Sequence, residues 1–257
     1  MMRLATAILL AQLLVNGVLA ASSVTLHGVT DTLSPEHEKY AHALFTAAEA
    51  FKETEALFDD EFFITKRGWE EETSTDEGDI VYSKYTKHGK MVTVSTPLDV
   101  DVDFAMKEAW TNINTLSEWN PNVESSSLIA SLTNYTSIVT YASSKALIVS
   151  GRDFILTRLY RRLPDGSYRM GTRSVEVDEK PEAENKVRGH IYLGAVQFRA
   201  HPEYPETRTI CDVVMLVDLK GFLPKWIVNR VLPKIMVMDT EENVKHFKEL
   251  GRMRRGE

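Results

Sequence analysis

Cysteine is almost absent from this sequence of 257 residues, in which Cys211 is the single one. An intrachain disulfide is therefore impossible, and the core has to be held together by packing. Because Cys211 stands among apolar residues, we predict that it is a buried thiol.

The sequence also lacks an excess of basic residues. It has 30 lysines and arginines against 37 aspartates and glutamates, which gives a formal net charge of −7. Proteins that bind nucleic acids need a basic surface to neutralise phosphates, so we expect no nucleic-acid partner. The densest basic run, Arg252 to Arg255, lies in residues 251–257, which we predict to be a solvated basic tail.

Signatures of catalysis and of cofactor binding are missing as well. There is no Gly-x-Ser-x-Gly elbow, phosphate-binding loop, dinucleotide fingerprint or His-Glu-x-x-His helix. Asp99, Asp101 and Asp103 alternate as in a calcium-binding loop. However, Phe104 stands where such a loop needs glycine. We therefore predict that the protein is not an enzyme and holds neither a metal ion nor a cofactor.

A long hydrophobic run occurs near the N-terminus, where residues 4–19 follow a short positively charged start ending at Arg3. Small residues near position 20 have the spacing that a signal peptidase reads. We predict that residues 1–20 are a signal peptide cleaved near Ala20, so that the protein is secreted or lumenal. The alternative is an uncleaved membrane anchor, although polar residues interrupt the run and a span needs about 20 apolar residues.

The sequence contains an N-glycosylation motif at Asn134-Tyr135-Thr136. It follows Ser131-Leu132-Thr133, where we predict a hairpin turn, so a glycan there would be exposed. On the secretory route, we expect Asn134 to be a glycosylation site.

A helix is predicted directly after a short N-terminal segment, residues 21–32. Ser34 can cap this helix, and Pro35 suits its first position. Its apolar residues recur at helical spacing, so the helix should cover an apolar surface. They are Tyr40, Leu44, Ala47, Phe51 and Phe58. The acidic residues 70–79 that come later are predicted to form a loop.

Strands dominate the middle of the sequence. Two strand-like pieces, residues 80–86 and 91–96, precede a second helix that Asp101 or Asp103 caps and that ends at Asn120-Pro121. β-Branched and aromatic residues then fill five strands with turns between them, which predicts an antiparallel sheet. These strands are Ser137–Ser143, Asp153–Arg161, Tyr168–Val177, Val187–Arg199 and Thr207–Leu219.

A long final helix is predicted from Leu223 to Leu250, and Pro233 should bend it. It carries more apolar surface than one ordinary helix face needs. Together these elements predict an α+β domain over residues 33–250 in which a helix closes a concave sheet. Its interior is filled either by side chains or by a ligand, and composition leaves both open.

Three motifs occur in order and at fitting distances: Arg152-Asp153-Phe154-Ile155-Leu156-Thr157-Arg158, Val187-Arg188-Gly189, and Asp218-Leu219-Lys220-Gly221-Phe222-Leu223-Pro224. Together they resemble the START family (steroidogenic-acute-regulatory-related lipid transfer), and most closely its cholesterol-binding branch. The resemblance covers roughly Leu33 to Leu250.

The resemblance implies a helix-grip fold with a lipid tunnel under a C-terminal lid helix. It also implies a monomeric carrier that binds one lipid, most naturally a sterol, touches membrane surfaces transiently and transfers the lipid between them. Two alternatives remain open: a lipid-ester hydrolase that uses the same cavity, and a sensor that binds an anionic lipid or phospholipid.

By the same resemblance, Arg158 is the polar anchor of the pocket. Strand alternation places Phe154, Leu156, Arg158 and Tyr160 on one face. The resemblance also implies an apolar wall, made of Ile191, Val196, Val228, Leu232 and Ile235.

One departure from the family pattern concerns the partner of Arg158. Relatives that bind cholesterol pair this arginine with an acid on the preceding strand, whereas Val139–Ser143 contains no carboxylate. A buried guanidinium without a counter-charge costs several kcal/mol. Three explanations stay open: Arg158 is hydrated, it pairs with another residue, or the ligand brings the negative charge. Asp212 and Asp239 are the replacement partners to check, and if neither is near, an anionic lipid is favoured over cholesterol.

Overall fold

The structure is a computed structural model that describes residues 21–145, 147, 149–178, 180 and 186–257. The predicted signal peptide, residues 1–20, lies outside the described residues. No helix within these ranges is long and apolar enough to cross a membrane.

The described residues form helices and strands in an α+β arrangement. The α-helices are α1 (Ala41–Phe58), α2 (Glu61–Ile64), α3 (Val102–Thr111), α4 (Leu116–Trp119) and α5 (Lys225–Arg255). The strands are β1 (Ser23–Leu26), β2 (Val29–Thr32), β3 (Glu70–Ser74), β4 (Ile80–Thr86), β5 (Gly89–Leu98), β6 (Val123–Ser131), β7 (Thr136–Ser143), β8 (Arg152–Arg162), β9 (Tyr168–Ser174), β10 (Val187–Arg188), β11 (His190–Ala200) and β12 (Thr209–Asp218).

Strands β3 to β12 build one large sheet in the order β3-β4-β5-β12-β11-β9-β8-β7-β6. Neighbours along this order are antiparallel, and β10 adds a short parallel pairing to β8. The pairing of β5 with β12 brings the first part of the domain against its last strand. The predicted antiparallel sheet is confirmed, and β1 and β2 add a separate hairpin within residues 21–32.

Helix α1 packs on one face of the sheet, against β8, β9 and β11. Its buried side includes Ala47, Ala50 and Phe51. At this contact a Cβ atom on Gly171 of β9 would lie 2.5 Å from the backbone nitrogen of Phe51. The glycine therefore lets the helix backbone approach the strand. Ser34 stands at the N-cap of the preceding 3-10 turn, Pro35–Tyr40, but its side chain makes no capping bond.

Helix α5 lies on the opposite face, where it packs against β5, β4 and β3. It runs to Arg255 and ends at Gly256, whose φ of 74° suits a glycine cap. The basic tail predicted to begin at residue 251 is therefore mostly the last turn of this helix. Gly251 is buried there against the Asp99 backbone carbonyl.

Two other predicted elements need correction. Residues Glu70–Ser74 form edge strand β3 instead of a loop, because an edge strand tolerates charged residues and Glu72 pairs with Lys90 of β5. The second helix is capped by Asp101, which accepts a bond from the Phe104 nitrogen at 2.9 Å. This helix stops at Thr111, and the 3-10 turn Ile113–Thr115 and α4 follow it.

Candidate functional site

The three sequence motifs meet at one place, beside the start of α5. The Arg152 Nε donates to the Leu219 carbonyl at 2.9 Å, and its Nη2 donates to the Lys220 carbonyl at 3.3 Å. Arg188 pairs with Asp153 at 2.7 Å. Next to this pair, a Cβ on Gly189 would overlap the Phe154 ring. The motifs thus fasten β8, β10 and the turn before the final helix to one another.

A cavity of about 390 Å³ lies between the sheet and α5. Its lining is mainly apolar, and β8, β11, β12 and α5 contribute much of it. Its predicted members are Phe154, Leu156, Ile191, Val196, Leu232 and Ile235. Strand alternation explains the division on β8, because Ile155 and Leu159 pack in the clusters beneath α1 instead.

Polar side chains concentrate at one end of this cavity. Asp239, Asn243 and His246 of α5 line it at spacings of four and three residues, which place them on one helix face. Asn120 and Asn122, between α4 and β6, line the same end. The lid helix therefore covers the cavity with apolar residues such as Leu232 and Met236 and, farther along, mostly with polar ones.

The Asp239 carboxyl has one unsatisfied oxygen at this polar end. Its Oδ1 is buried, and no described group forms a hydrogen bond with it. Burial raises the pKa of Asp239 to about 6, although hydrogen bonds from the Asn122 and Asn120 side chains to this carboxyl act in the opposite direction. Burial also raises the pKa of Tyr141, and the nearby Asp239 charge adds to this shift, so Tyr141 stays a neutral hydroxyl.

The other charged groups of the lining already have partners. The His246 Nε2 lies 2.9 Å from the Glu108 Oε1. Its ring stacks on Trp119 with the centroids 3.9 Å apart. The Nε1 of Trp119 is buried and forms no hydrogen bond within the described structure. Arg152 also lines the cavity, but its guanidinium is held by the carbonyls described above and by Ser150.

Arg158 does not have the position that the resemblance implied. It is absent from the cavity lining among the described residues. Its guanidinium donates to the Ser137 Oγ at 2.9 Å and to the carbonyls of Ala109 and Trp110 at 3.1 and 2.7 Å. These carbonyls are at the C-terminal end of α3, where a cation is stabilised. Burial lowers the pKa of Arg158 to about 10.

The predicted partners of Arg158 are also corrected. Asp212 lies on β12 between two cavity-facing residues and points to the other side, where it pairs with Arg199 at 3.0 Å. Asp239 lines the cavity without bonding to Arg158. Arg158 needs no carboxylate because the carbonyls at the end of α3 accept its hydrogen bonds. Among the described lining residues, Tyr160 and Val228 are also absent. Tyr160 packs instead against Trp110.

Sequence reasoning missed Trp119, Asn120, Asn122 and His246 as cavity residues. A signal existed only for His246, because the apolar stripe of α5 through Leu232 and Met236 continues at helical spacing into Asp239 and His246. A polar continuation of a buried stripe indicates a polar end of the space that it covers.

Among the described lining residues, no serine or cysteine is hydrogen-bonded to a histidine, the pairing that nucleophilic catalysis uses. Cys211 lines it, but burial raises the pKa of the thiol and keeps it neutral. Within the described hydrogen bonds, His246 is joined to Glu108 and to neither a serine nor Cys211.

Comparison with known proteins confirms the predicted resemblance. A family model described as "START domain" matches residues 49–252 of the chain. The match spans α1 to the last turn of α5, and so contains the cavity and its lid.

Two curated relatives carry related names. The chain is 48% identical over 229 residues to Steroidogenic acute regulatory-like protein 1 of Caenorhabditis elegans, which covers 89% of this chain and 88% of the relative. It is 28% identical over 177 residues to the mitochondrial steroidogenic acute regulatory protein of Equus caballus, with 67% of this chain and 61% of that protein covered.

Solved structures share the fold. Human StAR-related lipid transfer protein 5 superimposes with a TM-score of 0.70 at 20% identity, over 82% of this chain and 99% of that one. Human STARD10 gives a TM-score of 0.66 at 18% identity, over 80% of this chain and 81% of that one. The helix-grip fold predicted from the sequence is therefore confirmed.

Proposed function

This chain belongs to the START family, and from that premise we propose that it binds one lipid in its cavity and carries it between membranes. It acts as a monomer and leaves the lipid chemically unchanged. We propose a sterol as the ligand, because the relatives are named for steroidogenic acute regulation.

The observation that supports this function is the cavity under α5. An apolar lining provides affinity for an apolar ligand, because burial contributes about 25 cal/mol per Å² of apolar surface. Polar groups at one end provide orientation. Phe154, Leu156, Ile191, Val196, Leu232 and Ile235 are the wall residues that we expect to contact the lipid.

Contact with a membrane involves the turn between β12 and α5. The Phe222 side chain is fully exposed, and Trp226 is 64% exposed. The exposed cations Lys220 and Lys225 flank them. Aromatic rings beside lysines suit the interface of an anionic membrane. The turn directly follows Leu219, which lines the cavity, so a membrane bound here would lie next to the lipid path.

The route through the secretory pathway is part of the proposal. Asn134 is exposed in the turn between β6 and β7, which an oligosaccharide can reach. Protein expressed in a eukaryotic host should appear in the medium without residues 1–20, and glycosidase treatment should lower its mass. Retention of an intact N-terminus in the membrane would support the anchor alternative instead.

The experiment that tests the function combines native mass spectrometry with a transfer assay. Protein secreted from eukaryotic cells should carry one lipid per chain, identified after extraction. The same protein should accelerate exchange of a fluorescent sterol between donor and acceptor vesicles. Protein that is always empty and that takes up no lipid from vesicles would contradict the proposal.

A further inference from the structure

We propose that Asp239 is the head-group anchor of the cavity, where its carboxylate accepts a hydrogen bond from the hydroxyl of an uncharged lipid. This inference rests on the proposed function, because it names the head group that the same cavity selects. It assigns to a residue of the lid helix the role that the resemblance implied for Arg158.

The first step of the argument is the state of the Asp239 carboxyl. Its Oδ1 is buried without a hydrogen-bond partner among the described groups, although the residue lines the cavity. Buried polar groups in native proteins almost always have a partner, and leaving one without costs roughly 1–3 kcal/mol. A ligand that donates a hydrogen bond would remove this cost.

The second step is that the competing charged groups are occupied. Among the described lining residues, Glu108 is paired with His246 and Arg152 is bonded to backbone carbonyls. Asp239 is therefore the charged side chain of the lining that is left for a ligand. A carboxylate head group would be repelled by it, so fatty acids are disfavoured.

The third step is the chemistry of the second unsatisfied group. The buried Nε1 of Trp119 can only donate a hydrogen bond, whereas the Asp239 carboxylate can only accept one. Both lie at the same end of the cavity, because Trp119 precedes Asn120, which neighbours Asp239. A hydroxyl group both donates and accepts, so it can satisfy either residue. A ketone can only accept.

The position of Asp239 along α5 fits an elongated ligand. It stands 14 residues after the first residue of the helix, Lys225, which at 1.5 Å per residue is about 21 Å. A rigid sterol-like molecule can therefore hold its hydroxyl at Asp239 while its apolar tail extends toward Leu219 and the exposed aromatic turn.

The test compares cholesterol with cholest-4-en-3-one, a sterol of similar shape that carries a ketone instead of the hydroxyl. Both displace a sterol labelled with a fluorophore on its side chain, and oleic acid is the anionic competitor. We expect wild-type protein to prefer the alcohol to the ketone by about 10- to 100-fold, the cost of one unpaired buried group. D239N should bring the ratio to about one, since an amide both donates and accepts.

Asp212→Asn is the matched control, because Asp212 is a buried aspartate that faces away from the cavity. It should keep the wild-type ratio. Equal wild-type binding of alcohol and ketone, or a D239N protein that keeps the preference, would overturn the anchor while leaving lipid binding intact. The preference for the alcohol over the ketone is measured on the wild-type protein itself, so the proposal remains testable even if a variant does not fold. Binding of no competitor at all would instead contradict the proposed function.

Discussion

Arg158 and Asp239 are charged side chains whose polar atoms are buried in different surroundings. A buried charge is costly unless hydrogen bonds compensate it. Arg158 obtains compensation from Ser137 and from the carbonyls that end α3. Asp239 keeps an unpartnered oxygen, and burial raises its pKa. The first residue is thus built for stability, and the second is available for a ligand.

The raised pKa of Asp239 predicts how stability depends on pH. The carboxyl titrates near 3.8 in the unfolded chain and at about 6 in the folded protein. Between these values the folded state binds the proton more tightly, so the free energy of unfolding falls as pH rises from about 4 to about 6. The full difference corresponds to about 3 kcal/mol. We expect the free energy of unfolding of ligand-free D239N, measured by denaturation at about pH 4.5 and about pH 7.5, to lack the decrease that Asp239 causes in the wild-type protein.

Asp165→Asn is the control for this prediction. Hydrogen bonds from Ser167 lower the pKa of Asp165, so its contribution is present at neutral pH and is lost as the solution is acidified. Its effect should have the opposite sign to that of D239N. If the difference in the free energy of unfolding between the wild-type protein and D239N were the same at every pH, the raised pKa of Asp239 would be contradicted.

Arg158→Met should destabilise the protein without changing the choice of ligand. The variant leaves two helix-end carbonyls and Ser137 without their donor, which should lower the free energy of unfolding by about 3 kcal/mol. Arg162→Met on the same strand is the control, because Arg162 is exposed and its ion pair with Asp103 should contribute less than about 1 kcal/mol. Loss of the alcohol preference in a folded R158M protein would restore the anchor that the family resemblance implied.

At the scale of elements, the contact of α1 with the sheet depends on the absence of one side chain. Gly171 meets the backbone of Phe51 and Ala50, which cannot move aside as the end of a long side chain can. Helix α1 and strand β9 are thereby held closer than any residue with a Cβ atom would allow.

Gly171→Ala should therefore lower the free energy of unfolding by about 3 kcal/mol, the upper range for overpacking in a core. Gly194→Ala is the control on the neighbouring strand, because its Cβ would lie 3.4 Å from the Thr172 Cβ, an ordinary contact. Urea denaturation of both variants measures the difference. Equal effects would show that α1 can shift to accommodate a methyl group.

At the scale of the whole molecule, the cavity and the exposed aromatic turn lie along one helix. Helix α5 begins shortly after Phe222 and carries Trp226 in its first turn. It reaches the polar end of the cavity at Asp239. This arrangement joins the surface that we propose to contact the membrane to an interior site through one element, so displacement of the helix would open the lipid path at that surface.

A double variant, Phe222→Ser with Trp226→Ser, should reduce binding to anionic vesicles and the rate of sterol transfer by about tenfold or more, because two apolar side chains no longer enter the interface. Unfolding should be almost unchanged, since both rings are exposed. Tyr204→Ser, another exposed aromatic residue on a different loop, is the control and should leave transfer intact. Unaltered transfer by the double variant would place membrane contact elsewhere.

Local patterns were enough to predict most elements of the fold. Strand alternation and turn residues are short-range properties, so β7, β8, β9, β11 and β12 were predicted within a few residues. Strand β3 was missed because its acidic residues are stabilised by distant partners such as Lys90. Strand β6 was not predicted as a separate strand. The end of helix α3 at Thr111 was also missed, because no proline follows it there.

The sequence by itself determined the family, the antiparallel sheet and the covering helix, because periodicity and motif order are written along the chain. Only the tertiary structure decided which charged residue meets the cavity. Arg158 and Asp239 lie on different elements, and their surroundings come from α3, α4 and β6, which are distant in sequence. Burial and hydrogen bonding depend on those three-dimensional neighbours, so the polar end of the site became visible only once the chain was folded.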